Sequence, residues 1–189
     1  MENILVGRLV RFTAEEPEAI AQSDIRWQRD SEFHRLLDSE PAQLTSEKKR
    51  KADLDEREKE DFTAERYAFS VRTLADDRYI GFLSLWVIPV HCDAFVGLGI
   101  GDRDFWGKGY GTDMMEVALK YAFLELNLFR VSLGLHEYNP RALKSYQKAG
   151  FTLEGRTRQE MQRAGRRFDS LWMGILRDEW LQRQNGEQT

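Results

Sequence analysis

Trp106-Gly107-Lys108-Gly109-Tyr110-Gly111-Thr112 is the stretch on which the reading of the whole chain turns. Upstream of it, Ala94-Phe95-Val96-Gly97-Leu98-Gly99-Ile100 has the β-branched and small residues of a strand. Downstream, Met114, Met115, Val117, Ala118, Leu119, Tyr121, Ala122, Leu124 and Leu126 mark a helix that is apolar over much of its circumference. A strand, a glycine turn and a helix in that order make an anion site. The first turn of a helix carries unpaired N–H groups, and the helix dipole favours negative charge there. Alternating glycines let that backbone approach a phosphate closely, and successive N–H groups form a nest.

Other phosphate motifs fit this turn poorly. The dinucleotide fingerprint needs Gly-x-Gly-x-x-Gly, and here the third glycine, Gly111, comes one residue early. A P-loop needs Gly-Lys followed by Ser or Thr, whereas Gly109 follows Lys108.

Working outward, residues 5–13 read as a first strand and residues 17–37 as a helix, with a break at Pro41 and a new helix start at Thr45-Ser46. Residues 47–61 are nearly all charge, with acid–base pairs Glu47–Lys51, Asp53–Arg57 and Asp55–Lys59 suited to a solvated helix. Residues 67–71 and 79–87 form a hairpin across Asp76-Asp77, and residues 89–93 make a turn into the strand before the glycines. A strand at 130–136, a short helix at 139–149 ended by Gly150, and strands at 153–160 and 168–175 around Ala164-Gly165 complete the chain. The pattern is one mixed α/β domain over residues 1–180 with a polar tail at 181–189, and no internal repeat or linker.

Composition bounds the function. At 189 residues, 41% hydrophobic, the chain buries a core without staples. A net charge of −4 argues against a nucleic-acid partner and suits a cationic acceptor. The single Cys92 cannot form an internal disulfide, and no Cys/His cluster has zinc spacing, so no metal is expected. No leader-like segment or long apolar run is present, and the chain reads as cytoplasmic without a membrane partner.

The second informative segment is Asn139-Pro140-Arg141-Ala142-Leu143-Lys144-Ser145-Tyr146-Gln147-Lys148-Ala149-Gly150-Phe151. Asn139 is a natural N-cap and Pro140 occupies the first helical position, where a missing N–H costs nothing. Taken by itself, this segment leaves Tyr146 as either a core aromatic or a functional hydroxyl. Together the two segments resemble the GNAT superfamily of acetyltransferases. Trp106-x-x-Gly109-x-Gly111 resembles the family's Gln/Arg-x-x-Gly-x-Gly/Ala motif, and residues 139–151 resemble Asn-x-x-Ala-x-x-x-Tyr-x-x-x-Gly-Phe. The likeness is close over residues 94–151 and extends in outline over 1–180. Its flavour is that of the branch containing ribosomal-protein N-terminal and polyamine acetyltransferases.

The resemblance implies a central mixed, mostly antiparallel sheet, splayed where acetyl-CoA lies between the strand ending at Ile100 and the strand at 130–136. It implies backbone pairing of the pantetheine arm at Gly99, Ile100 and Gly101, and the pyrophosphate on Gly107, Lys108, Gly109, Tyr110, Gly111 and Thr112. Asn139 would meet the pantetheine end, and the N–H near Ile100 would polarise the thioester carbonyl. Trp106, in place of Gln or Arg, costs a polar contact. The reaction implied is direct attack by a neutral primary amine, on a protein N-terminus or a small polyamine-like or antibiotic-like molecule, with Tyr146 protonating the leaving thiolate.

The base is open. Phe95 and Gly134 stand where relatives carry Glu. His136, on the same strand face as Gly134 by period-two alternation, is the candidate. His91, Asp93, Glu137 and bulk water are alternatives. The competing function is a non-catalytic acyl-CoA-binding sensor, against which the retained Tyr146 argues. Strand edges near the C-terminus are compatible with a homodimer.

Overall fold

The computed structural model describes residues 3–59 and 66–186, and the side chains of residues 57–59 fall outside that description. Seven strands form one sheet in the order β1-β2-β3-β4-β5-β7-β6. They are β1 (Val10–Thr13), β2 (Arg66–Thr73), β3 (Tyr79–Ile88), β4 (Asp93–Ile100), β5 (Arg130–His136), β6 (Thr152–Arg163) and β7 (Arg166–Leu176). Every neighbouring pair is antiparallel except β4 and β5. This is the mixed, mostly antiparallel sheet that the sequence implied.

One face is covered by α4 (Tyr110–Lys120), which continues as a π-helical turn through Glu125, and by α5 (Pro140–Ala149) beside it. Alternation in the strands makes the core there. Leu83 and Leu85 of β3, Ala94 and Val96 of β4, Val131 and Leu133 of β5, and Met173 and Ile175 of β7 pack with Met114, Val117, Ala118 and Phe123. The last helix, α6 (Arg177–Gly186), adds Trp180 against Phe123, 5.6 Å between rings. It runs across residue 180, so the stretch assigned to a tail begins inside a helix. Tail residues 187–189 lie outside the described residues.

Among the described residues, the other face is covered at one end only. Residues 17–37 divide into α1 (Pro17–Trp27) and α2 (Ser31–Leu37), because the Asp30 carboxylate accepts the Glu32 and Phe33 N–H groups and starts a new helix. Trp27 and Phe33 pack there with Tyr79 and Phe82. α3 (Glu47–Lys59) is not merely solvated. Its Leu54 is buried, Arg50 donates to Asp24 of α1 at 2.7 Å, and Lys51 pairs with Glu18. The charged stretch therefore docks on α1; the expected pairs to Arg57 and Lys59 lie outside the described side chains.

The first strand is shorter than residues 5–13. Buried Asp113, in the first turn of α4, accepts the N–H groups of Arg8, Leu9 and Val10 at 2.9, 2.7 and 3.0 Å. A carboxylate so far away in sequence takes the hydrogen bonds that a strand neighbour would have used.

Candidate active site

Strands β4 and β5 pair only at Asp93↔Arg130, Ala94↔Val131 and Phe95↔Ser132, and diverge beyond. The opening leads into a cavity of about 1090 Å³ that runs from Gly107 and Thr112, past Ile100 and Tyr146, to Trp86 and Trp172 on the opposite face.

Alternation decides which backbone faces the opening. The Gly101 N–H donates to the Ile80 carbonyl at 3.0 Å, and the Gly99 carbonyl points at Gly81, so close that a Cβ on Gly81 would overlap it. Residues 99 and 101 therefore turn their polar backbone toward β3, and Leu98 and Ile100 turn theirs toward the gap. Of the three residues expected to meet an extended ligand arm, only Ile100 has backbone aimed that way, and Leu98 joins it. Gly101 is glycine for another reason: any side chain there would enter the Trp27 ring.

At the glycine turn, Gly107 has φ 73° and Gly109 has φ 92°, the left-handed region in which a Cβ is strained. Gly109 is the N-cap of α4 and offers no side-chain bond, so among the described residues no side chain caps the first-turn N–H groups. Lys108 and Tyr110 do not line the cavity, and the Tyr110 ring packs on Phe105 at 4.9 Å. The Thr112 hydroxyl lies 3.0 Å from that of Ser145, tying α4 to α5.

Trp106 does make a polar contact. Its Nε1–H donates to the Ile100 carbonyl at 2.7 Å, stapling the turn to the end of β4. Arg141 and Arg103 lie over its ring at 3.7 and 5.1 Å, in the cation–π range. Burial pushes the Arg141 guanidinium down from its ordinary value. Arg141, Lys144 and Lys148 line the cavity from α5 at i, i+3 and i+7, a cationic stripe one helix face wide. Sequence reasoning missed it, although the spacing was there to be read.

Asn139 spends its side chain on structure as well as lining the cavity. Its Oδ1 accepts the Ala142 N–H at 3.1 Å, and its Nδ2 donates to the Leu36 carbonyl of α2 at 3.4 Å. Tyr146 lines the same wall, and burial pushes its hydroxyl up to about 12, so it is fully protonated at neutral pH.

His136, at the end of β5, lines the cavity and stacks on Tyr138 at 5.0 Å. Its Nδ1 is buried with no hydrogen-bond partner. Burial first, and then Arg163, lowers its pKa below the ordinary 6.5. The imidazole is therefore held neutral over a wider range of pH, with its Nδ1 closed off from the cavity. The other candidates lie elsewhere: His91, Asp93 and Glu137 do not line the cavity, and Glu137 accepts the Asp169 N–H at 2.9 Å. Asp38 and Glu160 are the carboxylates on the cavity wall among the described residues. No group of His, Cys, Asp or Glu suited to a metal ion occurs among the described residues, and no described helix is long and apolar enough to cross a membrane.

Comparison with known proteins fits this geometry. The model of the acetyltransferase (GNAT) domain matches residues 8–152. The probable N-acetyltransferase YjcK of Bacillus subtilis (strain 168) is 33% identical over 135 residues, covering 70% of this chain and 72% of that protein. A spermidine N(1)-acetyltransferase of Vibrio cholerae is 36% identical over 77 residues, 41% of this chain and 44% of that one. Among solved structures, spermidine N-acetyltransferase from Vibrio cholerae in complex with CoA and spermine superimposes with a TM-score of 0.78 at 24% identity, over 91% of this chain and 98% of that chain. An acetyltransferase from Bacillus anthracis gives 0.75 at 16% identity, over 92% and 98%.

Proposed function

Because the chain belongs to the acetyltransferase (GNAT) family and is an acetyl-CoA-dependent N-acetyltransferase, we propose that it acetylates the primary amine of a small molecule by direct attack, with both substrates held in one cavity. The observation that carries this reading is the continuity of that cavity, from the glycine turn through the β4–β5 opening to the far face of the sheet. A small acceptor is favoured over a protein N-terminus by two of the relatives, which are spermidine acetyltransferases.

The residues present fit acetyl-CoA. Gly107, Gly109, Gly111 and Thr112 would hold the pyrophosphate on the N–H groups that open α4, with Arg141, Lys144 and Lys148 beside them. The outward backbone of Leu98 and Ile100 would pair with the pantetheine amides as a strand would. Bound acetyl-CoA supplies a thioester whose carbonyl carbon accepts the amine nitrogen. The Ile100 N–H polarises that carbonyl. His136 takes the proton that the amine must lose, directly or through water. The C–S bond breaks as the C–N bond forms, and Tyr146 gives its proton to the departing sulfur. The raised pKa keeps the tyrosine protonated beforehand; a hydroxyl near 12 is a weaker acid than a thiol of about 8.5, so its help begins as a hydrogen bond to the departing sulfur, which as a good leaving group needs little more.

A thiol-release assay with acetyl-CoA and a panel of small primary amines tests the reading. Thiol release that depends on an amine supports it. Cofactor binding without release for every amine would instead make the chain an acyl-CoA-binding sensor.

A further inference from the structure

The end of α2 is held by side chains from elsewhere in the fold. α2 is seven residues long, too short to stand by itself, and residues 38–46 beyond it are irregular. The last carbonyls of a helix have no partner within it. Here the Tyr138 hydroxyl donates to the Arg35 carbonyl at 2.7 Å, and Asn139 Nδ2 donates to the Leu36 carbonyl at 3.4 Å. Arg163 does more. Its Nη2 lies 2.9, 2.6 and 3.2 Å from the carbonyl oxygens of Asp38, Ser39 and Glu40. Two hydrogens serve three acceptors, so one of these bonds is shared. Arg163 comes to this point through the turn of the β6–β7 hairpin. Ala164 and Gly165, at φ 49° and 73°, make a two-residue turn that sets Arg163 opposite Arg166. Met161, two residues earlier on the same strand face, is buried and lines the cavity.

The grip bears on the end of the cavity opposite the glycine turn. Leu36, Leu37, Asp38 and Ser39 line that end together with His136 and Glu160. Asp38 is fixed twice, because its carbonyl accepts from Arg163 and its Oδ1 accepts the Glu40 N–H at 3.0 Å. The same groups surround His136. After burial, the largest influence, Arg163 lowers the pKa of His136, while Asp38 and Glu160 raise it, and the Tyr138 ring stacks on it. We infer that Arg163 is a positioning residue for the acceptor, clamping residues 38–40 to the β6–β7 hairpin so that Asp38 and the end of α2 stay in place as one wall of the acceptor end. The inference rests on the reading of this cavity as a site of amine acetylation. It adds the residue that holds the amine's half of the cavity together.

The test compares Arg163→Ala, Arg163→Lys and Tyr138→Phe with the unaltered chain in the thiol-release assay. The amine is spermidine, or another small primary amine of the panel if spermidine is inert, at about pH 8, where His136 is neutral. Arg163→Ala should raise KM for the amine about tenfold, with kcat and the acetyl-CoA dissociation constant each within a factor of about two. Arg163→Lys keeps the charge without the planar fork, so KM should stay raised several-fold. Tyr138→Phe keeps the ring on His136 and loses only the bond to the Arg35 carbonyl, so KM should rise about threefold. Hydrogen exchange in Arg163→Ala should quicken about tenfold at residues 36–40 and stay unchanged in α4. An unchanged KM for the amine, an equal loss of acetyl-CoA binding, or full recovery in Arg163→Lys would each overturn the inference. Should Arg163→Ala fail to fold, Tyr138→Phe decides by the same split between amine and acetyl-CoA. If the unaltered chain turns over no amine, the transferase reading fails and exchange decides alone: quickening confined to residues 36–40 sustains the clamp, and unchanged exchange removes it.

Discussion

The two ends of the cavity are built on different plans. At the glycine-turn end, the proposed ligand contacts are mainly backbone groups of Leu98, Ile100, Gly107, Gly109, Gly111 and Thr112, on one strand, one turn and one helix, with the Arg141, Lys144 and Lys148 side chains of α5 beside them. At the acceptor end, Trp86, Phe95, Trp172 and His136 come from four strands, and α2 adds Phe33, Leu36 and Leu37. A backbone site needs only the right dihedrals, so substitutions there are severe and insensitive to the acceptor. A side-chain site divides its work among many residues, so single changes there are milder and acceptor-specific.

The largest effect expected from breaking this contrast is at Gly109. With φ 92°, a β-branched residue is strained and shifts the N–H groups that open α4. Gly109→Val should weaken acetyl-CoA binding about 100-fold or more, read by calorimetry, with every acceptor affected alike. Tyr146→Phe comes next, sharpening the distinction between holding and reacting. It should lower kcat by about 100-fold while the acetyl-CoA dissociation constant stays within a factor of two or so. Unaltered turnover would remove Tyr146 from the reaction.

A third effect is in pH dependence. His136 accepts a proton only when neutral, and its lowered pKa extends the neutral range downward. The acid limb of kcat/KM should therefore lie below the ordinary histidine value of about 6.5 and vanish in His136→Gln. An unchanged limb in that variant assigns the proton to water. The smallest effect is structural. Asp30 caps α2 and accepts two hydrogen bonds from Arg103, 2.5 and 2.7 Å, which bring its pKa down to about 2. Asp30→Ala should cost about 1 kcal/mol in denaturant unfolding through the lost cap and loosen α2 over the acceptor end. A carboxylate with a depressed pKa contributes fully above its unfolded value of 3.8 and loses that contribution as pH falls through 2, so the difference between variant and parent should close over that window.

The same contrast governs what could be read from the amino-acid sequence. Gly107, Gly109, Asn139, Pro140 and Gly150 announce themselves because local geometry demands those residues: left-handed turns, an N-cap, a first helical position. The splayed sheet followed from the family resemblance that they carry. Phe95 and Gly134 were legible only as departures. Nothing local says that Trp172 lies on Gly134 or Trp86 on Gly97, since those pairs depend on strand register across the sheet. The missed break at Asp30 and the overlong first strand have a different cause. In each, a carboxylate competes for backbone N–H groups; Asp30 is a local cap hidden among acids, whereas Asp113 reaches Arg8, Leu9 and Val10 from another element. Leu54, one apolar residue in a run of charge, was enough to dock α3.

The claim underlying all of this is that both substrates occupy one continuous cavity and react directly. Initial-velocity kinetics with acetyl-CoA and a small primary amine varied together measure that directly. Double-reciprocal lines that intersect, with one thiol released per amine acetylated, are the result predicted. Parallel lines, with an acetylated enzyme trapped when the amine is withheld, would contradict it.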